Sequence, residues 1–338
     1  MNTNFDYLSS RYLNVYLPEQ RNLSDNTRAS YHATFLQFED FLEEQGIRRG
    51  KLNFSHISRE KVEDFLIWVE NMRGCSISTR NQRLSALKAF FKYVRTICPE
   101  HLYLCNQIIN DIHIKKAPKP VVKYLSKEAV SLILAGPDLT EPYGRRDLAL
   151  LSLMYDGGIR VQELCDAKFK DLRLDRHPTI AVTGKGKKSR VTPLSEPNAQ
   201  VLRNYVSERK AEGRAALDDY LFTNHSGRQL TRGGIRYILE KYVKAANTAN
   251  PDAGIPMVSP HGVRHTKAMH LLESGSNLVY IRDFLGHDDV TTTQVYAKAN
   301  PESKRAAIEN LYVPPDVPEM PDWRDDPNLM RKIKGPSR

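Results

Sequence analysis

Residues 260–275 read PHGVRHTKAMHLLESG. Pro260 suits the first position of a helix, where its fixed φ costs nothing. His261 and Arg264, three residues apart, then share one face of that helix. They stand near its N-terminal end, which favours anions, so a phosphate could accept hydrogen bonds from both. His261 and His265, four apart, raise zinc as the alternative. No glutamate fills the second position of an H-E-x-x-H pattern, and Arg264 would repel a dication, so an anion is the better ligand.

Outward from this helix the same chemistry recurs. IRDFLGH (281–287) ends in His287, and TTTQVYAKA (291–299) places Tyr296 on a short helix capped at Thr291. Upstream, GGIRVQEL (157–164) offers Arg160 after two glycines that let backbone pack closely and begin a new helix. Glu163, one turn on, is expected to hold that segment by ion pairing. In TGKGKKSRVTPL (183–194), the spacing predicts a hairpin, with strands from about Thr179 to Thr183 and Arg190 to Leu194. A nucleotide-binding P-loop fails here, because Gly186-Lys187 is followed by Lys188 rather than Ser or Thr. A cationic hairpin tip entering a minor groove fits better, with Lys185 placed to protonate a leaving oxygen and Lys187 and Lys188 on phosphates. Two guanidiniums, an ammonium, two imidazoles and one tyrosine suit a pentavalent phosphate transition state with a covalent intermediate.

The first 112 residues read as all-helical. Ser24 caps a helix carrying Tyr31, Phe35, Phe38 and Leu42, ended by Gly46. Ser58 caps a second, with Val62, Phe65, Leu66 and Val69, ended by Gly74. A third runs from about Ser76 to Ile97 with Leu84, Leu87, Phe91 and Val94 on one stripe. It carries Arg80, Arg83, Lys88, Lys92 and Arg95 and no acid. Its opposite face, Ser78, Gln82, Ser85 and Ala89, is small and polar enough to approach a DNA groove while flanking cations reach phosphates. Arg80 falls among the apolar positions, so not all five cations can face DNA. KKAPKPVVK (115–123), with two prolines and four lysines, is the expected boundary between two domains. Beyond Tyr312, prolines at 314, 315, 318, 321 and 327 preclude long helices, leaving a tail that is disordered or folds on a partner.

Composition is consistent with this layout. The 338 residues, 40% hydrophobic, are long enough for two cores. Lys+Arg 50 against Asp+Glu 40 gives a net charge of +10, which favours a polyanionic partner. Residues 1–120 carry 17 basic and 13 acidic side chains, 121–313 carry 28 and 22, and 314–338 carry 5 of each. Both expected domains are basic and the tail is neutral. No apolar run reaches the roughly 20 residues of a membrane span, and the N-terminus lacks the features of a signal peptide. A soluble cytoplasmic protein is expected. Cys75, Cys98, Cys105 and Cys165 have no C-x-x-C spacing and read as reduced thiols.

Taken together in order, these motifs resemble those of the tyrosine recombinase/integrase family, in its Xer-like, phage- and transposon-integrase branch. The resemblance is clear over most of 121–312 and looser over the N-terminal helices. It implies a mainly α fold with a small β hairpin or sheet, arranged as a two-domain clamp. Residues 1–114 would form the helical core-binding (SAM-like) domain, 115–123 the linker and 124–313 the mixed α/β catalytic domain. Residues 314–338 would form an inter-protomer arm.

The implied function is site-specific DNA recombination. Arg160 and Arg264 would hold the scissile phosphate and Tyr296 attack it, giving a 3′-phosphotyrosyl enzyme and a free 5′-hydroxyl. Lys185 would protonate the 5′ oxygen, His261 act as general acid/base and His287 bond the phosphate. No cofactor, ATP or metal is required. Four protomers on two duplexes would exchange strands through a Holliday junction, in a nucleoid-associated bacterial setting, and an accessory recombinase or directionality factor is left open. Type IB topoisomerase-like relaxation and a non-catalytic DNA-binding regulator are the rival readings. The chain has no obvious extra arm-binding domain, which leans towards Xer-like or mobile-element recombinases.

Overall fold

A computed structural model describes residues 4–117, 123–184 and 189–286. Contacts divide the chain into two units, Met1–Pro120 and Val121–Arg338.

In the N-terminal unit every regular element is helical. It opens with α1 (Phe5–Arg11), which runs on into a π-helical stretch, Tyr12–Gln20, with Pro18 inside. Helices α2 (Asp25–Glu44), α3 (Arg59–Asn71) and α4 (Ile77–Ile97) follow, and α5 (Leu102–Asn106) closes the set. The expected caps are in place: Ser24, Ser58 and Ser76 each accept from the backbone N–H three residues on, at Thr27, Lys61 and Thr79. Each such cap is worth about 1 kcal/mol. The positive φ of Gly46 and Gly74 turns the chain away after α2 and α3. The buried stripe of α4 is wider than its spacing suggests, since Ala86, Phe90 and Tyr93 join Leu84, Leu87, Phe91 and Val94. Phe90 meets Phe5, Tyr12, Phe35 and Phe91 at ring-centroid distances of 5.1–5.4 Å. This aromatic cluster supplies much of the unit's core.

The second unit is mixed. Helix α6 (Lys127–Leu134) is capped by Ser126, and α7 (Pro142–Asp156) is buried along residues 149–154. The short α8 (Val161–Asp166) follows the Gly157-Gly158 pair. Strands β1 (Leu172–Arg173), β2 (Thr179–Thr183) and β3 (Ser189–Pro193) form one antiparallel sheet in that order, with Val182 opposite Arg190 and Thr183 opposite Ser189. The expected hairpin is therefore joined by a third, two-residue strand. Helices α9 (Glu196–Ala211), α10 (Arg232–Ala249), α11 (Pro260–Glu273) and α12 (Leu278–Leu285) complete the described part. Helix α7 packs on α9 and α11, and α11 on α12. No described helix is long and apolar enough to cross a membrane. Cys98, Cys105 and Cys165 are buried and Cys75 is half-buried. Burial pushes the thiols of Cys105 and Cys165 up to about 11.

Candidate active site and nucleic-acid interface

Helix α11 is anchored at several points along its length. Ser259 caps it by accepting from Gly262 N at 3.1 Å, and Pro260 opens it. Thr266 Oγ1 accepts from Leu125 N at 3.1 Å. His270 bonds the Tyr155 hydroxyl at 2.8 Å and lies 2.9 Å from Leu125 O. Lys267 pairs with Asp156 at 3.1 Å. These contacts fix the rotation of α11 against α7 and thereby the direction of Arg264.

Arg264 is 1% exposed. Its Nη1 donates to Gly158 O at 2.7 Å and its Nη2 to Leu285 O. Arg160 stands at the start of α8, where its own backbone N–H donates to Glu163 Oε2 at 3.0 Å. Its Nη1 donates to Glu163 Oε1 at 2.8 Å and its Nη2 to Gly286 O at 2.6 Å. The two guanidiniums thus converge on consecutive carbonyls at the end of α12, the residues that directly precede His287 in sequence. Glycine is demanded at both approach points. Gly158 has φ +54°, and a Cβ there would lie 2.9 Å from Leu285 Cδ2; Gly286 has φ +63°, and a Cβ would lie 2.8 Å from Arg190 Cδ.

Glu163 holds this segment by ion pairing, as its position suggests. Burial alone would raise its carboxyl, but the fork of Arg190 and the backbone N–H and side-chain bonds of Arg160 outweigh it and hold the group down to about 2. Arg190 itself is a member of the site that sequence reasoning missed. In the folded strand β3, Arg190 and Thr192 point inward while apolar Val191 is 66% exposed, an inversion of normal alternation that only the structure displays.

His261 keeps contact with solvent. Crowding about its ring and the positive charges of Arg264 and Arg160 lower its affinity for a proton. Its ring meets that of His265 edge-on at 4.2 Å. Desolvation, together with His261 and Arg264, pushes His265 down to about 4. Both shifts favour the neutral imidazole. Lys185, His287 and Tyr296, and with them Lys187, Lys188 and the tail 314–338, lie outside the described residues. Among the described residues no group of three or more His, Cys, Asp or Glu could hold a metal.

In the N-terminal unit the five cations of α4 divide. Arg80 is turned inward, pairing with Glu70 at 3.4 Å and donating to His113 O at 3.1 Å. Arg83 donates to Ser30 O and Thr34 Oγ1 on α2, and Lys88 donates to Ile109 O at 2.7 Å. Lys92 and Arg95 are exposed. With Lys88, Tyr16 and Tyr31 they border a groove of about 530 Å³. Ser78, Gln82 and Ser85 lie on the exposed face of α4.

A helical N-terminal unit followed by a mixed unit with two converging arginines is also the layout that comparison with known proteins identifies. The chain belongs to the tyrosine recombinase/integrase family: the model of the phage integrase family matches residues 123–303, and that of the phage integrase N-terminal SAM-like domain matches 10–96. Among its relatives is a putative integrase/recombinase, y4rC, of Sinorhizobium fredii, 34% identical over 316 residues that cover 93% of each chain. Another is tyrosine recombinase XerC of Bacillus subtilis, 33% identical over 298 residues covering 86% of this chain and 91% of that one. The fold matches the XerH site-specific recombinase bound to palindromic difH substrate, with TM-score 0.68 and 21% identity over 86% of this chain and 81% of that one. It also matches the Tn1549 transposon integrase in complex with transposon right end DNA, with TM-score 0.66 and 19% identity over 91% and 99%.

Proposed function

We propose that this chain is a site-specific DNA recombinase that cleaves and rejoins DNA through a 3′-phosphotyrosyl intermediate. The observation that carries the reading is the convergence of Arg160 and Arg264 on the carbonyls of Leu285 and Gly286, beside His261. Two preorganised guanidiniums there would neutralise charge developing on the non-bridging oxygens of a scissile phosphate. Tyr296 attacks the phosphorus, the bond to the 5′ oxygen breaks, and Lys185 supplies that oxygen with a proton. A neutral His261 can take the tyrosine's proton as base, and His287 bonds the phosphate. The phosphotyrosyl bond conserves the energy of the broken phosphodiester, so the reaction needs neither ATP nor metal. Relatives described as Xer recombinases, and neighbours captured on DNA, support double-stranded DNA as substrate. Four protomers on two duplexes, exchanging strands through a Holliday junction, follow from the same reading, with 314–338 as the arm between protomers.

The test needs no knowledge of the DNA site. Wild type and Tyr296→Phe are incubated with fragmented genomic DNA, denatured and captured, and the attached DNA is sequenced. Fragments retained by wild type alone are expected, and they name the cut site. Retention that persists in Tyr296→Phe would move the nucleophile elsewhere, and negligible retention by both would overturn the reading. On the captured site, Lys185→Ala is expected to cut slowly and to be rescued by a 5′-phosphorothiolate, whose leaving group needs no proton.

A further inference from the structure

Resting on the recombinase reading, we propose that Arg190 is a positioning residue of this site: sharing Glu163 with Arg160 and packing on Gly286, it sets where the Arg160 guanidinium stands. Arg190 comes from β3, an element remote in sequence from both α8 and α12. Its Nη1 donates to Glu163 Oε1 at 2.8 Å and its Nη2 to Oε2 at 2.7 Å. The two side chains are 14% and 3% exposed. Each carboxylate oxygen of Glu163 therefore accepts one bond from Arg190 and one from Arg160, the latter split between Nη1 and the backbone N–H.

That division has a geometric consequence. An arginine alone with a carboxylate favours the two-bond fork. With both oxygens already engaged by Arg190, Arg160 is limited to one side-chain bond there and turns Nη2 to Gly286 O. The aliphatic part of Arg190 lies against Gly286, where an added Cβ would stand 2.8 Å from Cδ and 3.2 Å from Nε. One side chain thus ties β3, the start of α8 and the end of α12 together. Its third nitrogen, Nε, is buried with no partner among the described residues. A direct phosphate contact through Nε is the rival account.

The experiment is a double-mutant cycle in the full chain, with wild type, Arg190→Gln, Glu163→Gln and the double variant. Each is assayed on the DNA fragment captured by wild type for single-turnover adduct formation and for affinity against salt. A positioning role predicts a rate loss of about 30-fold in Arg190→Gln, with affinity within about threefold and an unchanged salt slope. In the Glu163→Gln background the same change should then cost under about threefold, because the path through the carboxylate is already gone. Multiplicative losses, together with a salt slope reduced by about one, would instead establish a phosphate contact and overturn the proposal. An unchanged rate would overturn it as well.

Arg190→Lys, which keeps charge and aliphatic packing but not the fork, carries the same comparison if Arg190→Gln does not fold; a loss of about tenfold is expected. Hydrogen exchange of the DNA-free protein gives a readout independent of cleavage. Residues 157–164 and 281–286 should exchange faster in Arg190→Gln, and unchanged exchange would refute the three-way tie. Wild type that forms no adduct would sink the recombinase reading, while exchange still decides whether Arg190 holds the segment.

Discussion

Arg160 and Arg264, 104 positions apart in sequence, take hold of neighbouring peptide carbonyls: Gly286 O for Arg160 and Leu285 O for Arg264. A shift of the end of α12 would therefore move both guanidiniums together. Side chains cannot substitute for this arrangement, because what the arginines grip is backbone, whose position depends on the packing of Leu285, Phe284 and Ile281 against α11.

Arg264→Lys tests the buried fork. The ammonium can reach one of the two carbonyls, leaving the other desolvated and unpaired at a cost of about 1–3 kcal/mol. Thermal unfolding should register that loss. Adduct formation should fall by about 10²–10³-fold, the scale set by removing one preorganised donor from a transition-state site. Cleavage within tenfold of wild type would show that Arg264 is architectural only.

Gly158→Ala should be worse than an ordinary surface change. The new methyl must accept φ +54° and stands 2.9 Å from Leu285 Cδ2 and 3.2 Å from Phe284 Cε1. A destabilisation of about 1–3 kcal/mol is expected. Gly213→Ala shares a positive φ of +70° but meets nothing within 4 Å, and serves as the comparison for strain without collision. Equal melting temperatures for the two variants would refute the close approach.

Acid should unfold the second unit through Glu163. Its carboxyl is held at about 2 against an ordinary 4.5, so its stabilisation is complete above pH 4.5 and is lost as pH falls towards 2. The depressed value corresponds to about 3 kcal/mol at most. Denaturant melts across that window should be flatter in Glu163→Gln than in wild type. Parallel slopes would mean that the ion pairs contribute nothing.

His265 acts in a different window. Its folded value of about 4 lies below the ordinary 6.5. Between these two values the unfolded chain binds the extra proton, so stability falls as pH drops from 6.5 to 4. His265→Gln should flatten that part of the curve alone. NMR of the imidazole should show it neutral at pH 6; a charged ring there would contradict the assigned environment.

The α4 cations should separate by position. Lys92→Ala should weaken DNA binding uniformly and lower the salt slope by about one. Arg80→Ala removes the contacts to Glu70 and His113, so it should lower the melting temperature and leave the salt slope alone. The reverse pattern in gel-shift titrations would place the DNA face elsewhere on the helix.

Much of this was readable from local signals. The serine caps at 24, 58 and 76 and the breaks at Gly46 and Gly74 depend on residues within a turn or two of one another, and the inward turn of Arg80 follows from its place among the apolar positions of α4. Arg160, His261 and Arg264 could be proposed because each lies inside a compact motif, and the carboxylate partner of Arg160 is only three residues on. Non-local features were not legible. Strand β1 has two residues, too few for any periodicity. The α1 and Tyr12–Gln20 segment is set by aromatic contacts to Phe35, Phe90 and Tyr93, which no nearby residue announces. Arg190 stood in plain view within TGKGKKSRVTPL, yet its partner Glu163 is 27 positions away, and only the folded sheet brings them together.

The distribution of thiols has a practical consequence. Three of the four cysteines lie in the interior, and at neutral pH their raised affinity for protons leaves almost no thiolate to react with an electrophile. A maleimide dye should therefore choose Cys75. That residue immediately precedes Ser76, the cap of α4, whose outer face is the expected approach to a duplex. The unaltered sequence thus carries a single-site fluorescent reporter at the edge of the helix proposed to approach DNA.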